Sequence, residues 1–414
     1  MNIWIVNPFD QLPNETDVPL RYWSLCKTFA MQGHNVIWWS SDYSHLTKTK
    51  REPCLDTDGF SIRLIETPPY KKNISFARLR NHNAFANGFY REAMKSMENK
   101  EMEAPDRIVV SLPPLGVAEQ AFKIRNQINH SLSTTSPGSC QVVVDIMDAW
   151  PETFYQLIPK PLNNFLGPLL FSGLRRSSKR AYYYADKISA VGQSYLELSK
   201  RYGAKSPMHL CYHGTDLSRF SQKQHLPTRT GFLKAVYLGA MGSGYDLQTL
   251  IDVAKQWKAE GQFLWQIHFA GEGAQLTSLK AQSQALGLDI DERVIIHDYL
   301  QKGAVEKLLG SVDIALVPNC PSSLVACPYK AGEYAAAGLP MLSCLGGELN
   351  QLLAHWDAGS AYKEGDAASL QAAFENYTSN PEVLKQQSLN ARNMAEALFD
   401  REQSYQQMIE FFLT

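Results

Sequence analysis

Short apolar runs alternate with helix-length segments along almost the whole chain, and polar or glycine residues stand at the switches. Asn2 to Asn7 reads as a buried strand, a polar loop follows, and Leu20 to Gln32 reads as a helix. Gly33-His34 ends that helix, and Val36 to Ser40 returns as a second strand. Parallel strands need a crossover of a dozen or more residues, usually a helix, so this alternation commits the chain to an α/β fold with parallel sheets. The pattern continues through strands at Ile62 to Glu66, Arg107 to Ser111, Gln141 to Asp145 and Ala185 to Val191, the last expected in this half. Tyr212 to Phe220 and the polar run to Gly231 read as a linker. A second series then begins, with strands at Ala235 to Leu238, Trp265 to Phe269, Val294 to His297, Val312 to Val317 and Met341 to Cys344. The 414 residues are too many for one ordinary core, so two domains are expected. The expected architecture is two facing Rossmann-like α/β domains with a cleft between them.

The totals exclude several classes. A formal net charge of -1 gives no whole-molecule basic field for nucleic acid. No apolar run approaches the roughly 18 residues that a spanning helix needs. The start, Met-Asn-Ile-Trp-Ile-Val-Asn-Pro, lacks the basic segment and small-residue cleavage site of a signal peptide. It reads as the first strand itself. Seven cysteines are scattered with no Cys-x-x-Cys, which suits reduced thiols and a cytoplasmic location. No zinc spacing is present, and no metal is expected. A dinucleotide oxidoreductase would place Gly-x-Gly-x-x-Gly after its first strand, and no glycine follows that strand here.

Chemistry concentrates in Pro328-Tyr-Lys-Ala-Gly-Glu-Tyr-Ala-Ala-Ala-Gly-Leu-Pro340. Pro328 suits a helix start, and Gly338 followed by Pro340 suits its end. Lys330 and Glu333 then lie one turn apart on one face. Strand, polar loop and helix N-terminus make a phosphate site, because free N–H groups and the helix dipole point at the anion. Lys330 would add a full charge beside Tyr329, and Glu333 would accept from a ribose diol. The pair reads equally as solvated residues of an ordinary helix. Glycines at 239, 242, 244, 271 and 273 cluster at strand ends of the same half, where backbone can approach a ligand and present N–H groups.

In the first half, Gln141 to Asp145 runs into Asp148-Ala-Trp150-Pro-Glu152. Polar residues just past the carboxyl end of a parallel strand are where open α/β sheets bind ligands. Lys71 to Arg80 mixes cations with apolar residues, and Pro161 to Arg180 places Phe165, Leu166, Leu169, Leu170 and Phe171 ahead of Arg175, Arg176, Lys179 and Arg180. Each reads as an anionic-membrane contact or, equally, as ordinary surface or core helix.

The order of motifs resembles the two-domain GT-B glycosyltransferases of family four, in the branch that builds bacterial surface polysaccharides. The resemblance rests on Gly33-His34-x-Val36, Asp148-x-Trp150-Pro151-Glu152, Ala185-Asp186-Lys187-Ile188 and His213-Gly214-x-Asp216-x-x-x-Phe220. It continues through Ala270-Gly271-x-Gly273, Asp313-Ile314-x-Leu316-x-Pro318, Lys330-x-x-Glu333-Tyr334-x-Ala336-x-Gly338-x-Pro340 and an ending with Gly365-Asp366 and Phe399-x-x-Glu402. It implies an acceptor-binding domain at 1–211, a linker at 212–230, a nucleotide-sugar domain at 231–395 and a last helix, 396–414, crossing back to the first domain. The implied donor is a UDP- or GDP-linked sugar, acting as co-substrate with no cofactor. Its candidate ligands are Gly239, Met241, Gly242, Gly271, Glu272, Gly273, Tyr329, Lys330 and Glu333. Arg21, Arg78 and Trp150 are the candidate ligands of a glycan or lipid-linked saccharide acceptor, and Asp148 and Lys330 the catalytic candidates.

Two positions depart from the family pattern. Val325 stands where the first of the paired glutamates belongs, eight residues before Glu333, and Ala240 and Met241 stand where basic residues are common. The implied activity is metal-independent, retaining transfer of a hexosyl or N-acetylhexosaminyl group at the cytoplasmic face of a membrane. The alternatives are a non-catalytic nucleotide-sugar or glycan-binding protein, and an epimerase or phosphorylase on the same fold.

Overall fold

The computed structural model describes residues 1–54, 57–131, 139–156, 158–159, 162–221, 233–262, 264–297, 300 and 302–414. The chain forms two compact units. One holds Met1–Cys211 with Gln403–Thr414, and the other holds Tyr212–Glu402.

The first unit runs β1 (Asn2–Val6), α1 (Arg21–Met31), β2 (Asn35–Ser41), β3 (Ser61–Ile65), α2 (Phe76–Glu98), β4 (Arg107–Leu112) and α3 (Leu115–Ser131). It continues with β5 (Gln141–Ile146), α4 (Glu152–Tyr155), α5 (Asn163–Leu170), α6 (Ser172–Tyr184), β6 (Lys187–Ala190), α7 (Gln193–Arg201) and β7 (Met208–Leu210). The strands form one seven-stranded sheet in the order β3-β2-β1-β4-β5-β6-β7. All its pairs are parallel, with Ile3 level with Val36 on one side and Arg107 on the other. Helices cover both faces, which is why Ile3 to Val6 and Val142 to Val144 are apolar without alternation and fully buried.

The second unit runs β8 (Leu233–Leu238), α8 (Leu247–Ala259), β9 (Trp265–Ala270), α9 (Leu276–Ala285), β10 (Val294–His297), α10 (Lys302–Ser311) and β11 (Ile314–Val317). There follow α11 (Tyr329–Ala336), β12 (Met341–Ser343), α12 (Gly347–Trp356), β13 (Gly359–Ala361), α13 (Ala367–Ser379) and α14 (Pro381–Leu398). Its sheet is also parallel, in the order β10-β9-β8-β11-β12-β13. Side-chain caps fix helix starts where the sequence supplies them. Asp246 accepts from Thr249 N–H at α8, and Asp366 from Ser369 N–H at α13.

A last helix, α15 (Arg401–Leu413), completes the first unit. Met408, Ile409 and Phe412 are fully buried in one cluster with Leu25, Cys26 and Phe29. Two cations hold its carboxyl end. Arg107 Nε donates to Phe412 O at 3.0 Å, and Lys187 Nζ to Phe411 O at 2.8 Å. Helix C-termini leave carbonyls without intrahelical partners, and positive charge there suits the dipole.

Several boundaries differ from expectation. The last strand of the first sheet is β7, not 185–191; it is a three-residue edge strand, half-buried throughout, and carries no clear apolar pattern. Helix α3 runs on to Ser131, and residues 132–138 lie outside the described residues. The stretch after Leu162 is two helices, broken at Phe171. Most of the polar run to Gly231 also lies outside the described residues.

Counted within each unit, the first sheet has the order 3-2-1-4-5-6-7 and the second 3-2-1-4-5-6. Strand order therefore reverses between β1 and β4 in one and between β8 and β11 in the other. The carboxyl ends of strands at such a reversal diverge into a crevice that binds ligands in open α/β sheets.

Candidate functional site

At the reversal of the second unit, two loops are stitched into one floor. After β8, Gly244 O accepts from Cys320 N–H at 2.9 Å, and Asp246 N–H donates to Pro318 O at 2.7 Å. Tyr245 and Asn319 form an antiparallel bridge. Helix α11 is pinned to the same place, because the Tyr334 hydroxyl accepts from Leu238 N–H, the last residue of β8, at 2.7 Å. Pro328 begins α11 without a side-chain cap, so no capping side chain claims its first-turn N–H groups.

Lys330 and Glu333 come together on this helix. Lys330 Nζ lies 2.6 Å from Glu333 Oε2; the Glu333 side chain is 4% exposed and that of Lys330 37%. Arg219, from a 3-10 turn at Leu217–Arg219, reaches Glu333 Oε1 at 3.4 Å and Glu306 Oε1 at 2.7 Å. Arg401 donates to the Tyr329 hydroxyl at 3.2 Å. Neither arginine stands out in sequence, since each acts through a fold contact. Arg219 sits inside the His213 to Phe220 motif, but nothing in its spacing points at Glu333.

The glycine loops meet each other rather than open space. A Cβ on Gly271 would lie 1.9 Å from Gly239 O, and one on Gly273 2.5 Å from Met241 O. Their φ angles are +141° and +153°. These glycines let the loop after β9 lie against the loop after β8, with Gly239 N–H on Ala270 O and Met241 N–H on Glu272 O. Met241 is a correction to the expected ligand set. Its side chain is fully buried in the core with Leu247, Leu250 and Phe269, since the zipped loops turn it inward. Gly242 has open space beside its Cα, and Glu272 is exposed.

In the first unit, the carboxyl ends of β1, β2, β3 and β5 gather rings and charges. Arg78, in the first turn of α2, places its guanidinium 5.6 Å from the Phe9 ring centroid and 5.7 Å from that of Trp150. Its Nε donates to His82 at 3.2 Å, and the His82 ring lies 5.5 Å from that of Trp150. Burial, with Arg78 adding to it, pushes His82 down to about 3 and His45 down to about 4, so both rings are neutral. Asp148 accepts from Ala149 N–H at 2.7 Å, Thr153 Oγ1 at 3.1 Å and Trp150 Nε1 at 3.1 Å. Burial raises its pKa against the pull of these bonds. The structure thus brings Arg78, Trp150 and Asp148 into one cluster.

Arg21 does not join it and is a second correction. Its side chain is 1% exposed and grips Asp145 through Nε at 2.8 Å and Nη2 at 3.0 Å. It also donates to Cys211 O at 3.0 Å. Tyr22 and Ser189 hydroxyls donate to the same carboxylate. This arginine is a core strut, and it is not placed to bind an acceptor. Among the described residues, no group of three or more His, Cys, Asp or Glu is placed to hold a metal ion.

Residues 233–380 match the family model described as glycosyl transferases group 1. Among curated proteins none matches the chain by sequence. Solved structures match over its length. A sucrose-phosphate synthase from Thermosynechococcus elongatus superposes with a TM-score of 0.72 at 15% identity, covering 99% of this chain and 98% of that one. HepE from Anabaena, in complex with UDP and glucose, gives 0.65 at 15% identity and 99% of both chains. WaaG, a glycosyltransferase involved in lipopolysaccharide biosynthesis, gives 0.62 at 14% identity, covering 97% of this chain and 98% of that one. At such identity the likeness shows fold alone. Residues 233–380 of the second unit are therefore similar to the group 1 glycosyl transferases, on a chain whose fold is GT-B.

Proposed function

We propose that the protein transfers a sugar from a nucleoside-diphosphate donor to a hydroxyl of a glycan or lipid-linked saccharide, in the assembly of a bacterial surface polysaccharide. The carrying observation is α11. It has an uncapped N-terminus, carries Lys330 and Glu333, and is tied through Tyr334 to Leu238 at the end of β8, within the segment that matches the family model. In this reading Glu333 takes the ribose hydroxyls, and Lys330 leaves Glu333 for the diphosphate. Negative charge develops on the leaving diphosphate, and a helix N-terminus with an ammonium group answers it. Gly239, Gly242 and the Gly271 to Gly273 turn supply backbone near the phosphates. UDP in the similar HepE structure supports a uridine donor, with GDP as the alternative base. The acceptor lies against Arg78 and Trp150, with Asp148 orienting its hydroxyl. Transfer of a hexosyl or N-acetylhexosaminyl group with retention, no metal and a site at the inner membrane face complete the proposal.

The test is a thermal-shift screen against UDP, GDP, ADP, CMP and dTDP and their sugars in EDTA. A ligand at about 100 times its Kd adds roughly 2.7 kcal/mol. A response to one base, followed by transfer to an oligosaccharide, supports the reading. Silence to all of them overturns it. Val325, in place of the first paired glutamate, favours a second reading as a non-catalytic binding protein. Donor binding without turnover on any acceptor would select that one.

A further inference from the structure

Glu333 is held from two sides, and one of its holders reaches it from outside α11. Arg219 closes the 3-10 turn Leu217–Arg219, which Asp216 caps by accepting from Ser218 N–H at 3.1 Å. The turn is fastened to α11. Arg392 of α14 donates to Phe220 O at 3.2 Å and to the O of Ala336, the last residue of α11, at 2.8 Å. The Arg219 guanidinium lies over the Phe220 ring, 5.2 Å from its centroid. This arginine is therefore fixed relative to the helix that carries Glu333, although 114 residues separate the two.

Glu306, from α10, sets the plane of the guanidinium. Its Oε1 accepts from Arg219 Nε at 2.8 Å and lies 2.7 Å from Nη2, which leaves Nη1 to face Glu333 Oε1 at 3.4 Å. A guanidinium is planar, with its N–H donors in a rigid fork, so a carboxylate on one edge decides where the other edge points. Arg219 is 9% exposed and Glu306 18%. Glu306 Oε2 is buried and has no hydrogen-bond partner among the described residues. A buried carboxylate oxygen left unsatisfied costs stability, and the grip on Arg219 is what offsets that cost.

Two acids and two bases thus form one formally neutral chain, Glu306 to Arg219 to Glu333 to Lys330. Its members differ in freedom. Lys330 is the most exposed of them, and a diphosphate competes for it. Arg219 is braced and nearly buried, so it stays. Without it, departure of Lys330 would leave the Glu333 carboxylate buried with no cation, an expensive state that also frees the side chain to move.

We infer that Arg219 is a positioning residue for the donor ribose. It keeps the Glu333 carboxylate aimed at the 2′- and 3′-hydroxyls while Lys330 exchanges from Glu333 to the diphosphate. Arg219 touches neither ribose nor phosphate. The inference rests on the reaction proposed above, and it assigns the diol contact to Glu306, Arg219 and Glu333 acting together instead of Glu333 alone.

The experiment is titration calorimetry of the full chain in EDTA with UDP and GDP, each beside its 2′,3′-dideoxy form. With the base that binds, the parent should hold the diol form at least about tenfold more tightly, since hydrogen bonds to a charged acceptor are lost with the hydroxyls. Arg219→Met should cut that preference to about twofold or less, weakening the diol form and leaving the dideoxy form within about twofold of the parent. Arg219→Lys keeps the charge without the fork and should recover only part of the preference. Arg219→Met combined with Glu306→Gln removes one charge of each sign, so it serves where the single change fails to fold, and its preference should be equally low. An equal loss for both forms of the nucleotide would mean that Arg219 supports the whole site or meets the phosphates, and overturns the inference. A tenfold preference that survives in both variants lacking the arginine overturns it too. A parent without diol preference overturns the inference and leaves donor binding standing. A parent that binds neither nucleotide overturns the UDP- or GDP-linked donor as well.

Discussion

Lys330 Nζ sits 2.6 Å from Glu333 Oε2, while Arg219 reaches the other oxygen of that carboxylate at 3.4 Å. One nearly buried carboxylate thus holds two cations, and only Lys330 is free to swing toward solvent. A diphosphate would compete with Glu333 for it. Lys330→Met should lower kcat by roughly 100-fold with a much smaller change in donor Kd, because the charge it answers develops in the transition state. Glu333→Gln should instead weaken donor binding about tenfold or more, since a charged acceptor is lost. Titration calorimetry beside steady-state kinetics separates the two effects. Equal losses in kcat and affinity for Lys330→Met would contradict the assignment.

Gly271 and Gly273 test whether the zipped loops matter as structure. Alanine at 271 meets Gly239 O and must adopt a φ of +141°, a region that costs other residues about 1–3 kcal/mol before any clash. Gly271→Ala is therefore expected to lower stability by at least about 2 kcal/mol and to displace the loop after β8. Gly242→Ala, with open space around it, should leave stability within about 0.5 kcal/mol. Urea unfolding of the two variants reads the contrast, and equal stabilities would remove it.

Asp10 sets a pH dependence. Burial, chiefly, raises its carboxyl to about 6, against the hydrogen bond from Tyr22 N–H and the charges of Arg21 and Arg51. The folded state therefore binds its proton more tightly than the unfolded chain does. Stability from this group is present in acid and is lost as pH rises from about 4 to about 6. Asp10→Asn keeps an oxygen for Tyr22 and carries no charge. It should be more stable than the parent by on the order of 1–2 kcal/mol near pH 7.5, with the difference vanishing below about pH 4. A difference independent of pH would show that Asp10 is ionised throughout.

Removal of residues 403–414 should unfold the first unit. Tyr405, Met408, Ile409 and Phe412 are buried, and each such side chain contributes about 1.5–3 kcal/mol. Their sum approaches the whole stability of an ordinary domain, about 5–15 kcal/mol. Limited proteolysis should then degrade residues 1–211 while the second unit resists. A truncated chain with both units protected would contradict the role given to α15.

The sequence made the strands and most helices legible, because a strand buried on both faces is mostly apolar along its length, as Ile3 to Val6 is. The edge strands β7 and β13 escaped, since three half-exposed residues carry no pattern. The floor around α11 was legible as a helix start with a cation and an acid one turn apart. Its partners were not. Arg21 reads as an available cation until Asp145, 124 residues away, is seen to hold it. Met241 reads as a loop residue until the loop after β9 folds it inward. Arg219 and Arg401 act across separations that no local period encodes. Contacts of this kind belong to the fold, and only coordinates show them.

The first unit takes its final helix from residues 403–414, after the whole of residues 212–402. At about 5–20 residues per second, a ribosome spends roughly 10–40 s on that intervening stretch. Throughout that interval the pocket around Leu25, Cys26 and Phe29 has no Met408, Ile409 or Phe412 to fill it. The part made first is thus finished last. The second unit, one uninterrupted stretch, has all its residues while the first still waits for α15.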